Sequence, residues 1–461
     1  MLERTGLALT RHARRWLPDP FVLAVLLTFV SFAAALAYTR FDIGRVLLAW
    51  FDGKGGGKGF WNLLAFGMQM SLILVTGHAL ATSPPVRRLL DRVADGARSA
   101  EGAIVLVSLG AMALAYVNWG LGLVGGAILA REVGLRARAK GIAVHYPLLA
   151  AAGYTGLLVW HGGLSGSAPL KVTQVKDLVE ILGPDLGARV GPIPLGRTLG
   201  SAGNLVANAI LLALVPFVLV KMLPRDPAAR VGPPEALVRD VEAAPPGEDA
   251  ESSDAPARRL DRSRSLVLLL VLAGLGTLAL VLARVGLGSV DPNVLNFAFL
   301  FLGLLLHGSA RAYADAIGEA TQGVSGILLQ FPFYAGIMGV LTGTGLLAAV
   351  AGALAKVGAG ALPAASFYSA GLVNLFVPSG GGQWAVQGPV LIEAAVRTGT
   401  DPARVVMALA YGDQWTNMLQ PFWALPLLGI TRVRASDVIG YTAVVLLVSQ
   451  LGFLIGLYVG W

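Results

Sequence analysis

Two ionisable residues, His161 and Asp413, fall inside long apolar runs, each within a short polar interruption. The interruptions read Trp160-His161-Gly162-Gly163-Leu164-Ser165-Gly166-Ser167 and Asp413-Gln414-Trp415-Thr416-Asn417. Ionisable groups at membrane depth are costly and mark ion or proton pathways by default. Asp413 is therefore a candidate for taking up a coupling proton or ligating sodium, and His161 is the second titratable candidate. The plainer reading of each is a hydrogen-bond partner for backbone.

Two further apolar stretches, 100–130 and 362–396, are broken by glycine clusters: Tyr116-Val117-Asn118-Trp119-Gly120-Leu121-Gly122 and Val377-Pro378-Ser379-Gly380-Gly381-Gly382-Gln383-Trp384. Irregular backbone at membrane depth persists only where protein or a water-filled cavity satisfies it. Paired interruptions in two halves of a chain point to a transporter's binding site. A half-helix N-terminus offers free amides and a positive dipole end to a carboxylate, and glycine lets backbone approach a ligand closely. Candidate substrate contacts are Asn118, Gly120, Gly122, Trp160, Ser165, Ser167, Ser379, Gly380, Gly381, Gly382, Gln383, Thr416 and Asn417. Asn118 and Ser379 join Asp413 and His161 as candidates for the coupling ion, with sodium at the hairpin tips the metal to consider. No Arg or Lys lies in the four polar centres, which suits a small monocarboxylate better than a multiply charged anion. Trp119, Trp160, Trp384 and Trp415 are available to wall a short apolar tail.

Two other chemistries compete. Gly163-Leu164-Ser165-Gly166 matches the short GxSG pattern of intramembrane serine proteases, but leaves the second half of the chain unexplained. An anion channel would use the same polar breaks without alternating access. For the glycines, the plain alternative is close helix packing.

The elements that must position these residues are membrane helices. Of 461 residues, 55% are hydrophobic and 13% charged, against about 25% charged in soluble domains. The net charge of +8 reflects Lys and Arg gathered in alternate loops, as the positive-inside rule requires, so nucleic-acid binding is not expected. With no cysteine there is neither a disulfide framework nor a thiolate site. Arg4, Arg11, Arg14 and Arg15 precede an apolar run too long for a signal peptide, which reads as a retained first helix with a cytoplasmic N-terminus. Crossings are expected at about 21–39, 60–82, 145–168, 199–221, 265–287, 292–308, 323–342, 404–428 and 437–460, the C-terminus lying outside. Basic residues flank both ends of 100–130 (Arg87, Arg88, Arg92, Arg98; Arg131, Arg136, Arg138, Lys140), so that segment is expected to enter and leave on the cytoplasmic side. The second hairpin, among few basic residues, is expected to open outward.

This gives an all-α polytopic membrane protein of two inverted-topology repeats, each with a re-entrant helical hairpin and a discontinuous helix. Residues 1–221 form the first repeat, 222–264 a mobile cytoplasmic linker, 265–291 a connecting helix and 292–461 the second repeat. Ser309–Gln322, with Arg311, Asp315 and Glu319 at four-residue spacing, reads as an interfacial helix with a solvated charged face.

Long motifs then carry a family resemblance: Phe60 to Met70 (FWNLLAFGMQM), Val75 to Leu80 (VTGHAL), Gln330 to Gly336 (QFPFYAG), Val377 to Gly382 (VPSGGG) and Gln420 to Pro426 (QPFWALP). Together they resemble the bacterial short-chain fatty acid transporters of the ion transporter superfamily. The resemblance implies a secondary transporter of the inner membrane that takes up acetoacetate, butyrate and similar acids by H⁺ or Na⁺ symport. It further implies elevator-like motion, a homodimer in lipid, and no cofactor beyond the coupling ion. Characterised members of the superfamily carry Ser-Asn-Thr motifs at their hairpin tips. Here those positions read Asn118-Trp119-Gly120 and Ser379-Gly380-Gly381, which leaves the coupling cation open. His161 stands where the Trp-x-Gly-Gly pattern has glycine.

Overall fold

The computed structural model describes residues 2–16, 18–52, 59–242, 256–285, 292–321, 324–354 and 357–461. The described residues form helices and no strand. In chain order these are α1 (Leu2–Trp16), α2 (Pro20–Tyr38), α3 (Ile43–Phe51), α4 (Leu64–Thr82), α5 (Pro84–Asp95), α6 (Ala100–Val117), α7 (Trp119–Ala139), α8 (Tyr146–Tyr154) and α9 (Ser167–Lys171). After the short α10 (Val175–Leu182) and α11 (Pro184–Val190) come α12 (Ala202–Met222), α13 (Glu235–Glu242), α14 (Pro256–Asp261), α15 (Arg264–Val285), α16 (Pro292–His307) and α17 (Ala310–Ala320). The remainder is α18 (Ser325–Gly343), α19 (Leu346–Leu354), α20 (Leu362–Asn374), α21 (Gly380–Thr398), α22 (Pro402–Thr416), α23 (Pro421–Thr431) and α24 (Ala435–Tyr458). Among the described residues, seven helices are long and apolar enough to span a bilayer. The chain is a multi-pass membrane protein.

Both glycine-broken stretches fold back on themselves. α6 and α7 run antiparallel with Asn118 as the sole non-helical residue between them. A side chain on Gly122 would meet Ala115, and one on Gly126 would meet both Ala111 and the Gly153 carbonyl of α8. These glycines lie inside α7 and let three backbones approach, which is how helices associate where lipid removes the hydrophobic drive. α20 and α21 form the second pair, where Gln383 Nε2 donates to Ala370 O at 2.8 Å and Gln387 Nε2 to Ser369 Oγ at 3.0 Å.

The two pairs open at opposite ends of the molecule. At the base of the first, Arg136 Nε donates to Asp95 Oδ1 at 2.8 Å and Lys140 Nζ lies 2.6 Å from the same atom. Arg136 and then Lys140 hold the Asp95 carboxyl well below the usual carboxylate range. Arg14–Asp437, Arg138–Glu235 and Arg434–Asp437 pairs join this arginine-rich end. At the base of the second pair, Tyr458 Oη donates to Gly360 O at 2.8 Å and Arg197 pairs with Asp401. Since α24 begins beside Arg14 and ends beside Gly360, these are the two ends of the bundle.

Both discontinuous helices are present. α8 passes through a 3₁₀ turn (Thr155–Leu158) into non-helical chain before α9. α22 runs to Thr416, tightens into a 3₁₀ turn (Asn417–Leu419) and restarts at Pro421. The second break thus begins at the last residue of the polar run that signals it and extends to Gln420, because Pro421 supplies the fixed φ of a new helix start. Asp413 and Gln414 remain on the last turn of α22.

The first part of the expected linker is held in place. Arg230 Nη1 donates to Ala143 O at 2.9 Å, Val231 N–H to His145 Nδ1 at 3.0 Å, and α13 carries the Glu235 that meets Arg138. Its middle, 243–255, lies outside the described residues, as do the end of the connecting helix (286–291) and Gln322, while its last part carries α14. α17 bears the Arg311–Asp315 pair on an exposed face.

Candidate functional site

The two breaks brace one another. Gln414 Oε1 accepts the His161 amide at 2.8 Å and the Gly162 amide at 3.3 Å, fixing the first break from α22. In return Tyr154 Oη, at the end of α8, donates to Asn417 O at 2.8 Å and Gln420 O at 3.1 Å in the second. Tyr411 Oη donates to Asn204 Oδ1, whose Nδ2 donates to Gly162 O at 2.9 Å. Asn374, at the end of α20, donates to Asp413 O at 2.7 Å, Asn417 Oδ1 at 2.8 Å and Thr416 Oγ1 at 3.1 Å. Freed backbone groups are thereby satisfied by protein, as an apolar surrounding requires.

His161 and Asp413 meet at the centre. Their Nδ1 and Oδ2 atoms are 2.6 Å apart and both side chains are buried. The Ala168 amide donates to His161 Nε2 at 3.1 Å, so Nε2 acts as acceptor and the ring proton sits on Nδ1, facing Asp413.

Against this pair rests the tip of the α20–α21 hairpin. A side chain on Gly380 would lie 2.8 Å from Trp160, 2.9 Å from His161 and 3.3 Å from Asp413 Oδ2. On the other side of the tip is a cavity of about 110 Å³. Pro378, Ser379, Gly380 and Gly381 form one wall, Trp119 enters from the first hairpin, and Leu157, Trp160 and Ser167 come from the first break. Phe66 and Trp423 complete it. A Cβ on Gly381 would touch no protein atom.

The tips differ in what they leave free. At the first, Asn118 Oδ1 accepts the Gly120 and Leu121 amides at 3.0 and 3.1 Å, and Ser165 Oγ accepts the Trp119 amide at 2.9 Å. At the second, Ser379 Oγ takes only the Gly382 amide, at 3.2 Å. The Gly380 and Gly381 amides, in the first turn of α21, have no intrahelical acceptor and find none among the described residues. They sit at the cavity wall and can receive an anion.

Of the residues expected at the site, the structure gathers Trp160, Ser167, Ser379, Gly380 and Gly381 at the cavity, with His161 and Asp413 behind the tip. Asn118, Ser165, Thr416 and Asn417 hold backbone around it, and Gly120 and Gly122 lie within α7. Gln383 bonds Ala370 and Gln387, and Gly382 packs on Ser379. Of the four tryptophans, Trp119 and Trp160 wall the cavity. Trp384 packs under Gly388, and Trp415 donates to Leu446 O at 2.7 Å. Ser165 has no catalytic partner in His161, both of whose ring nitrogens are engaged.

A multi-pass helical membrane protein with a small, amide-edged cavity between two hairpin tips, the first helix break and the start of α23 is the class these features define. The chain belongs to the short chain fatty acid transporter family, whose profile matches residues 1–459. It is 40% identical over 458 residues to a protein of Escherichia coli (strain K12) provisionally named a short-chain fatty acid transporter, covering 99% of each chain. A protein of the same provisional name in Haemophilus influenzae (strain ATCC 51907 / DSM 11121 / KW20 / Rd) is 38% identical, covering 99% of this chain and 100% of that one. Two solved structures align at low similarity. Neisseria gonorrhoeae MtrF, described within a class of antimetabolite efflux pumps, has 15% identity and a TM-score of 0.41, covering 97% of each chain. The Alcanivorax borkumensis YdaH transporter has 16% identity and a TM-score of 0.40, covering 96% of this chain and 99% of that one. The family is one of transporters, not enzymes.

Proposed function

We propose that the protein takes up short-chain monocarboxylates, butyrate and acetoacetate among them, across the bacterial inner membrane by cation symport. The observation that carries this is the 110 Å³ cavity bounded by the free Gly380 and Gly381 amides at one edge and by aromatic rings elsewhere. Its volume is well below the ~300 Å³ where drug-sized ligand pockets begin, which admits a few carbons and excludes a long acyl chain. The carboxylate accepts the two amides at the α21 N-terminus, and the tail lies among Phe66, Trp119, Trp160 and Trp423.

Coupling follows from the pair behind the tip. Asp413 carries a negative charge that a substrate carboxylate at Gly380–Gly381 must approach. Like charges about 6 Å apart repel by ~3 kcal/mol at an effective dielectric of about 20, roughly 100-fold in affinity. A proton on the His161–Asp413 pair removes that repulsion, so proton and substrate bind together. Reciprocity then requires that substrate raise the pair's affinity for its proton. Sodium beside Ser379 and Asp413 would neutralise the same charge and is the second reading.

The hairpins opening at opposite ends, each beside a discontinuous helix, support two inverted repeats with re-entrant hairpins and alternating access of the elevator kind. The arginine-rich end supports a cytoplasmic N-terminus and an external C-terminus. A homodimer in lipid completes the reading.

Uptake of labelled butyrate into proteoliposomes tests the substrate class. Acetoacetate should compete, while octanoate and citrate should not. Transport of citrate with butyrate excluded would reject the monocarboxylate reading.

A further inference from the structure

A second, larger cavity of about 680 Å³ opens at the arginine-rich end, between α4, α7, α18, α23 and the start of α24. Its chemistry is cationic and apolar together. Arg131, 5% exposed, lines it; its Nη1 meets Glu132 at 3.1 Å, and its buried Nε lacks a partner among the described residues. Gln330, 4% exposed, and His78 also line it; the buried Gln330 Oε1 and His78 Nε2 have no partner among the described residues. Arg432 adds a second guanidinium, and Leu425 and Leu428 supply apolar wall. Two helix starts at its edge, Ser325 of α18 and Ala435 of α24, have no side-chain cap. Of the acidic residues present, Asp19 already caps the Phe21 amide and Glu319 is exposed at the rim.

This cavity and the substrate cavity share a thin wall. Gln330 precedes Phe331, which stacks on Phe422 at 4.2 Å and on Phe66 at 5.8 Å between ring centres. Trp423, which lines the substrate cavity, lies two residues before Leu425, which lines this one.

We infer that the larger cavity is a second binding site for the monocarboxylate, in which the Arg131 guanidinium and the Gln330 amide, turned so that Nε2 donates, receive the carboxylate on the cytoplasmic side of the Phe66–Phe331–Phe422–Trp423 wall. It rests on the monocarboxylate reading above. Buried guanidinium nitrogen and uncapped helix starts select an anion, and the leucines select one with an apolar tail.

The cysteine-free chain permits a direct test. Ser436→Cys places a thiol in this cavity, and its alkylation by N-ethylmaleimide is followed in purified protein. The tryptophan fluorescence of Trp119, Trp160 and Trp423 reports the substrate cavity in the same samples. Butyrate should slow alkylation about fivefold or more, and inorganic phosphate should not. Arg131→Gln should abolish the protection while leaving the fluorescence titration in place. Gln330→Leu, which keeps volume and removes the amide, should weaken protection and serves if Arg131→Gln fails to fold. In a Gly381→Ala background protection should persist, although the fluorescence response is lost. Protection lost in that background would show that the thiol senses only the substrate cavity, and would overturn the second site. Equal protection by phosphate would also overturn it. A butyrate-dependent fluorescence change with no protection defeats this inference alone, whereas absence of both defeats the substrate reading itself.

Discussion

Gly381 and Asp413 make the sharpest claims at the scale of single residues. A methyl group on Gly381 meets no protein atom, so Gly381→Ala should fold normally while filling cavity that the carboxylate needs. Loss of a charged hydrogen bond costs about 1.5–3 kcal/mol, so butyrate affinity should fall at least 10-fold with an unchanged melting temperature. Ser71→Ala, on α4 where the hydroxyl bonds only Gly67 O, should leave affinity within twofold. Asp413→Asn preserves an acceptor for His161 Nδ1 but removes the charge. The variant should therefore bind butyrate more tightly than the wild type, and an unchanged affinity in fluorescence titrations would exclude Asp413 as the charge that opposes the substrate. The sequence exposes these residues because glycine clusters and an aspartate are anomalous within apolar runs. It hides Phe66, Leu157 and Trp423, since one more aromatic or leucine in a membrane helix carries no signal. It also hides the brace made by Tyr154, Asn374 and Gln414, whose partners lie far away in sequence.

The helix pairs and helix breaks are legible as elements because each leaves an interruption in an apolar run, glycine-rich for the pairs and polar for the breaks, with basic residues flanking the first pair as a second mark. Their exact turns are less so. The glycines after Asn118 belong to α7 and serve its packing against α6 and α8, and no sequence pattern separates a glycine that bends a chain from one that admits a neighbour. That packing makes its own prediction. Gly126→Ala drives a methyl into the Gly153 carbonyl, and overpacking of this kind costs about 1–3 kcal/mol. The variant should lose thermal stability, whereas Gly381→Ala should not. Hairpin topology is tested with single cysteines at exposed positions in intact cells. Arg98→Cys and Arg138→Cys should both be shielded from an impermeant maleimide applied outside, and Gly360→Cys and Arg397→Cys should both react. Labelling of one member of either pair alone would mean that the hairpin spans the membrane.

For the whole molecule, the decisive issue is which gradient does the work. The site has no Lys or Arg to neutralise a carboxylate, since both are absent from its four centres, and both His161 ring nitrogens are engaged, by Ala168 and Asp413. Binding an anion beside Asp413 without a cation would leave two negative charges in a low-dielectric interior, a state whose cost grows as water is excluded. On the symport reading proposed above, translocation of the loaded protein takes a cation with it, and a proton on Asp413 needs no coordination shell. Among the described residues no cluster of three or more His, Cys, Asp or Glu side chains is arranged to hold a metal ion, although hydroxyls and carbonyls alone can ligate sodium. Proteoliposomes with an inwardly directed proton gradient should therefore accumulate butyrate, and dissipating that gradient with a protonophore should abolish accumulation but leave exchange of internal for external butyrate. A sodium gradient of equal size should have no effect, with internal and external pH held equal. Asp413→Asn should exchange butyrate but fail to accumulate it under a proton gradient. Accumulation driven by sodium alone would move the coupling site from the carboxylate to the Ser379 tip, and accumulation by Asp413→Asn would remove the residue from coupling altogether.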